Sequence, residues 1–146
     1  MGYQYRVSFS DIDYGRILFY GKVYSIVEKA SEEFYLEHGI DLRDLIGKRH
    51  IGVPLVESRC QYISPMKYLD VVNVDLGAVD LTRKGFRLLF NLSVLPEGRL
   101  AAAGYLKFRF VNTKEFKGIE IPHEIEKLFS KLVTLEPLFD PFQVQK

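Results

Sequence analysis

Tyr3, Tyr5, Val7 and Phe9 alternate with Gln4, Arg6 and Ser8, a period of two that predicts a strand with one buried face. The alternation stops at Ser10-Asp11. From about Tyr20 the period lengthens: Val23, Val27, Ala30 and Phe34 recur at helical spacing, while Lys22, Glu28, Lys29, Glu32, Glu33 and Glu37 fall largely on other faces. That is the pattern of a long amphipathic helix. Gly39 supplies its stop, since glycine takes the left-handed conformation at a helix C-terminus without steric penalty, and His38 beside it suits the negative end of the helix.

After a polar loop from Asp41 to Gly52, alternation returns from about Val53 to Ile63, with Val56, Ser58, Cys60 and Tyr62 on one face. Ser64-Pro65 ends it, because proline cannot donate to a sheet ladder. Further strands are predicted over Leu69–Val79, Phe86–Leu95 and Leu100–Val111, the last two joined by the turn sequence Pro96-Glu97-Gly98 into an antiparallel hairpin. Ile121-Pro122 opens a short helical stripe of Ile125, Leu128, Phe129, Leu132 and Val133. In the tail from Thr134, Phe139 and Phe142 are candidates for docking on the body or on a partner, while Pro137 and Pro141 argue against regular structure. The order of strand, long helix, four strands and small helix gives an α+β domain: an antiparallel five-stranded sheet packed on one central helix. Its edge strands must be protected or paired, which makes a homodimer through the sheet the expected assembly.

Composition changes the picture only by exclusion. A chain of 146 residues, 47% hydrophobic and 27% charged, fits one globular domain. A net charge of +1 offers no extended field for nucleic acid, and no apolar run is long enough to span a membrane. Cys60 is the only cysteine, which excludes an internal disulfide; the N-terminus lacks the apolar core of a signal peptide, so the expected compartment is the cytoplasm. His38, His50 and His123 have no ligand-like spacing, so no metal site is expected, and neither a Gly-x-Ser-x-Gly elbow nor a phosphate-binding loop is present.

The most informative segment is Asp11-Ile12-Asp13-Tyr14-Gly15-Arg16-Ile17-Leu18-Phe19-Tyr20, a carboxylate pair between the first strand and the long helix. Local chemistry alone favours helix capping. A calcium loop fails, because Gly15 falls one place early and Lys22 stands where the bidentate Glu belongs.

Asp11, Asp13, Gly15, Ile17, Leu18, Phe19 and Tyr20, in that order, resemble the signature of the hotdog-fold 4-hydroxybenzoyl-CoA thioesterases, a family that includes the YbgC-type enzymes. The resemblance continues through Tyr62-Ile63-Ser64-Pro65, Leu69-Asp70-Val71-Val72, Thr82-Arg83-Lys84-Gly85-Phe86 and Ile119-Glu120-Ile121-Pro122, over about residues 3 to 133. It implies a hotdog domain over residues 1–146, with a core at about 3–133 and a tail at 134–146. It implies hydrolysis of an acyl-CoA thioester with no metal or organic cofactor, coenzyme A being part of the substrate. Asp13 would be the catalytic carboxylate, as nucleophile or as base for water, and the Tyr20 backbone N–H the oxyanion donor. Gly15 and Phe19 would contact the acyl group, and Arg83 and Lys84 the phosphates of coenzyme A. Homodimers or homotetramers are expected.

The chain departs from the YbgC-type pattern in having Tyr20 where those enzymes carry His, and in having Arg16 where the family has a small residue. Two other readings share the architecture: an acyl-carrier-protein thioesterase, and a module that binds an acyl thioester without turnover. A hydratase would need a histidine near the helix, which none of the three histidines supplies.

Overall fold

The computed structural model describes residues 2–134 and 138–143, with backbone only for 133 and 134. Its elements in chain order are β1 (Tyr3–Arg6), α1 (Lys22–Glu37), β2 (Ile51–Gly52), β3 (Leu55–Tyr62), β4 (Val71–Val79), β5 (Gly85–Leu95), β6 (Arg99–Arg109), β7 (Val111–Asn112), β8 (Lys117–Gly118) and α2 (His123–Thr134). A five-stranded antiparallel sheet runs in the order β1-β4-β5-β6-β3. The predicted α+β architecture, its long helix and the β5–β6 hairpin are all present.

The pleat of β5 decides which face is which. Phe86, Leu88, Phe90, Leu92 and Val94 point to the helix side, opposite Phe108, Leu106, Gly104 and Ala102 of β6 and Ala78, Leu76, Val74 and Val72 of β4. Against them α1 lays Val23, Ile26, Val27 and Ala30, all fully buried. Burial of each such aliphatic side chain is worth about 1.5–3 kcal/mol, so this seam holds the helix far more firmly than its weak N-terminus does. That end has Gly21 at the cap and no side-chain hydrogen bond. The other end is closed as expected: His38 Nδ1 lies 2.8 Å from the Phe34 carbonyl, Gly39 sits at φ 78°, and the Ile40 N–H reaches the Tyr35 carbonyl at 2.9 Å.

At the far end of the same face, α2 packs Ile125, Leu128, Phe129 and Leu132 onto Phe86, Leu88 and Tyr35, with Phe86 and Phe129 stacked at 4.1 Å. The side chain of Val133, and Pro137 in the tail, lie outside the described residues.

The predicted polar loop 41–52 is more ordered than its sequence suggests. Arg43–Lys48 forms a wide helical turn around buried Leu45, and β2 joins β7 and β8 in a small second sheet. The predicted strand ending at Val111 stops instead at Arg109, and Val111 belongs to that small sheet. Residues 138–143 cross to the outer face of the main sheet, Leu138 lying over Gly77 and the Phe142 ring meeting Tyr105 edge-on at 5.9 Å. Phe142 thus docks on the body. No helix among the described residues is long and apolar enough to cross a membrane.

Candidate active site

Between β1 and α1 the chain makes a tight reversal. Ile12 and Leu18 face each other as a bridge, the Asp13 N–H donates to the Ile17 carbonyl at 3.1 Å, and the Arg16 N–H donates to the Asp13 carbonyl at 3.0 Å. The Asp13 carboxylate folds over its own turn, Oδ1 accepting the Gly15 N–H at 2.8 Å, the local bond that makes aspartate a turn former. A Cβ on Gly15 would stand 3.0 Å from that oxygen, which explains the small residue there. The left-handed residue of the turn is Arg16, at φ 64°. Asp13 is solvent-exposed and forms no ion pair among the described residues.

Asp11 is its opposite. Only 5% exposed, it accepts the Tyr5 hydroxyl at 2.6 Å and the Ser8 N–H at 2.8 Å, both on Oδ2. Burial, and then this carboxylate, push the Tyr5 phenol up to about 12. Neither aspartate caps the long helix, which begins only at Lys22; the capping that local chemistry favours is met only by Asp11, whose carboxylate takes the Ser8 N–H at the head of the short helical turn Phe9–Asp11.

Downstream, the Leu18 N–H donates to the Met66 carbonyl at 2.7 Å and the Phe19 N–H to the Asp11 carbonyl at 2.8 Å. The next bonds belong to Lys22, which reaches the Phe19 carbonyl, and Val23, which reaches that of Tyr20. The Tyr20 N–H has no hydrogen-bond acceptor among the described residues. Tyr20 is 64% exposed; its ring lies 4.5 Å from Phe19 and 6.4 Å from Tyr62, and the Tyr62 hydroxyl donates to its carbonyl at 2.9 Å. The three rings make an open aromatic shelf ahead of α1, and Tyr14 and Ile17 in the turn are exposed as well. Tyr62 had registered in the sequence only as part of a motif, because nothing in a strand's alternation says where a hydroxyl will reach.

Asp13, Gly15, Phe19 and Tyr20 thus lie on one short reversal between β1 and α1. Arg83 and Lys84 are elsewhere: they precede Gly85 at the opposite end of the sheet, roughly 30 Å away along β5 at about 3.3 Å per residue. Lys84 lines a cavity of about 590 Å³ on the outer face, with Arg87, Tyr105, Lys107, Arg109 and Glu57.

The model of the thioesterase-like superfamily matches residues 7–129. The chain belongs to this superfamily. Its sheet and long helix are the hotdog fold, and it is a thioester hydrolase. It is 32% identical to the gentisyl-coenzyme A thioesterase BH1999, with a TM-score of 0.78 over 88% of this chain and 99% of that one. It is 23% identical to a 1,4-dihydroxy-2-naphthoyl-CoA hydrolase of Microcystis aeruginosa over 93% of this chain and 97% of the relative. Slr0204, a 1,4-dihydroxy-2-naphthoyl-CoA thioesterase from Synechocystis, has the same fold at a TM-score of 0.85 and 18% identity, covering 90% of this chain and 96% of that one. The superfamily model takes in the turn, α1 and the whole main sheet beyond β1.

Proposed function

We propose that this thioesterase hydrolyses aromatic acyl-CoA thioesters and that Asp13 is its catalytic carboxylate. The observation that carries the reading is that one short reversal holds both an exposed carboxylate with no ion pair among the described residues and, just ahead of α1, a Tyr20 N–H with no acceptor among them. Attack on the thioester carbon, by Asp13 itself or by a water that Asp13 deprotonates, puts negative charge on the carbonyl oxygen, where the Tyr20 N–H meets it. The C–S bond then breaks, and coenzyme A leaves as a thiolate that takes up a proton; on the nucleophilic route water then hydrolyses the acyl–Asp13 anhydride, freeing the acid and restoring the carboxylate. The shelf of Phe19, Tyr20 and Tyr62 suits a flat ring, and the relatives named above act on gentisyl and dihydroxynaphthoyl thioesters.

The same reading makes the enzyme a dimer. The edge strand β3 is exposed along nearly all its length, and Val56, Tyr62 and Ile63 beside it are large and uncovered. Its Leu55 end adjoins the Lys84 end of the sheet and its Tyr62 end adjoins Asp13. Antiparallel pairing of β3 with a second copy about a two-fold axis brings one chain's Arg83 and Lys84 to the end where the partner's aspartate lies. Two pieces that one chain keeps apart then serve one substrate, the basic pair holding phosphates.

The deciding experiment measures free thiol released from benzoyl-type, short-chain and long-chain acyl-CoAs by the wild type and by a folded Asp13→Asn variant. Aromatic substrates turned over by the wild type alone are the expected result. Full activity of Asp13→Asn overturns the mechanism, preference for an aliphatic chain overturns the substrate class, and turnover of acyl-carrier-protein thioesters alone moves the substrate to the carrier protein. Light scattering at micromolar concentration should give twice the chain mass or a multiple of it; a monomer sinks the shared site.

A further inference from the structure

The two aspartates of the turn differ in everything but residue type. Asp13 faces solvent, whereas Asp11, two residues earlier, is buried. A buried carboxylate is expensive unless its lone pairs are occupied, and here one oxygen takes both donors while the backbone carbonyl of the same residue takes a third. The three donors come from different places. The Tyr5 hydroxyl belongs to β1, the Ser8 N–H to the segment leaving β1, and the Phe19 N–H to the peptide immediately before the free N–H of Tyr20.

We infer that Asp11 is a positioning residue for the reaction: it ties the strand before the Asp13 turn to the peptide after it, fixing the carboxylate of Asp13 relative to the Tyr20 N–H. The inference rests on the reading of Asp13 given above. Asp11 itself touches no substrate, since it lies beneath the turn. Its side chain works as an acceptor of two hydrogen bonds at one point, not as a proton carrier, so an amide oxygen in the same place can take over. Tyr5 is the partner that makes the clamp rigid, because its ring is held in β1 opposite Val72 and only its hydroxyl reaches the turn. The bond runs from a neutral donor to a charged acceptor, the stronger kind.

Misplacement of reacting groups by about 1 Å can lower turnover about 100-fold without any change in the reacting groups themselves. Accordingly, Asp11→Ala should lower kcat by about 30-fold to 100-fold with KM within about twofold of wild type. Tyr5→Phe, which deletes a single oxygen, should lower kcat by about tenfold at unchanged KM. Asp11→Asn should recover kcat to within about threefold to fivefold of wild type, because it retains the acceptor. All are assayed on aromatic acyl-CoA well below each variant's melting temperature, beside Asp13→Asn. Loss of activity in Asp11→Asn as deep as in Asp13→Asn overturns the inference, because the charge of Asp11 would then take part in the chemistry. Wild-type kcat in folded Tyr5→Phe and Asp11→Ala overturns it too, leaving Asp11 a structural group only. If Asp11→Ala does not fold, Tyr5→Phe and Asp11→Asn carry the test by themselves. Full activity in Asp13→Asn is a different failure, that of the catalytic reading, and is seen in the same panel.

Discussion

Asp140 lies against Arg87 on the face of the sheet away from the long helix, Oδ2 standing 3.4 Å from the guanidinium. The carboxylate is 5% exposed and the arginine 20%, while the second partner of Arg87, Asp80, is 66% exposed. Removing the cation leaves Asp140 buried and unpaired, whereas removing Asp80 touches an ion pair already in water. Arg87→Met should therefore destabilise the protein by about 2–3 kcal/mol and Asp80→Ala by about 0–1 kcal/mol in urea unfolding. Replacing both partners of the inner pair, Arg87→Met with Asp140→Leu, should recover most of the loss.

Gly104 sits in β6 between β3 and the ring of Phe90. A Cβ there would strike the backbone carbonyl of Arg59 and approach the Phe90 ring to 2.8 Å, neither of which can give way without parting the strands. Gly104→Ala should cost about 3 kcal/mol or more, read as a fall in the unfolding midpoint. Gly47, with open space around it and ordinary φ, is the control: alanine there should be neutral or stabilising by about 0.5 kcal/mol.

The Tyr62 hydroxyl donates to the carbonyl of Tyr20, whose N–H is the proposed oxyanion donor. Burial, and then Cys60 beside it, raise the Tyr62 phenol well above the usual tyrosine range, so it remains a donor at any assay pH. Tyr62→Phe should lower kcat about threefold to tenfold with the melting temperature nearly unchanged, as one lost hydrogen bond on an exposed shelf predicts.

Cys60 is half-buried, and desolvation pushes its thiol up from 9.0 to about 11. The folded state holds this proton more tightly than the unfolded one, so the associated stability is complete below pH 9 and disappears as the pH rises through about 11. Tyr5, raised from 10.0 to about 12, acts in the same sense slightly higher. Denaturation midpoints should fall across this alkaline window. At pH 8 the native protein should react with a disulfide reagent far more slowly than the unfolded chain, so Cys60 adds little background when released coenzyme A is titrated.

The long helix, the hairpin and the inward face of β1 were legible because each repeats a period several times over. Strands of two residues, such as β2, β7 and β8, repeat nothing, and nothing in the sequence separates buried Leu45 from Leu42 and exposed Ile46 beside it. The strand β3 was legible as a strand, and the shared face of Ser58, Cys60 and Tyr62 is the helix side, while a bulge between Leu55 and Glu57 takes Val56 out of that register. Its place at the sheet edge was invisible, since alternation looks the same in a strand that is covered and one that is not. In the turn, the residues themselves pointed only to capping, and the family resemblance singled out Asp13; that Asp11 is buried depends on Tyr5 arriving from β1, which no spacing reveals. The basic pair Arg83-Lys84 could be recognised as a pair, yet its distance from Asp13 is a property of strand length that only the register reveals.

β1 is four residues long, lies at the sheet edge, and finds its partner in β4, some seventy residues later in the chain: Tyr3 faces Val74 and Tyr5 faces Val72. Short edge strands are the first to fray, opening locally while the rest of a domain stays folded. Here the fraying strand carries the hydroxyl that holds Asp11. Warming should thus silence the enzyme before it melts it, the catalytic turn slackening as β1 peels away from a sheet whose core still keeps α1 in place.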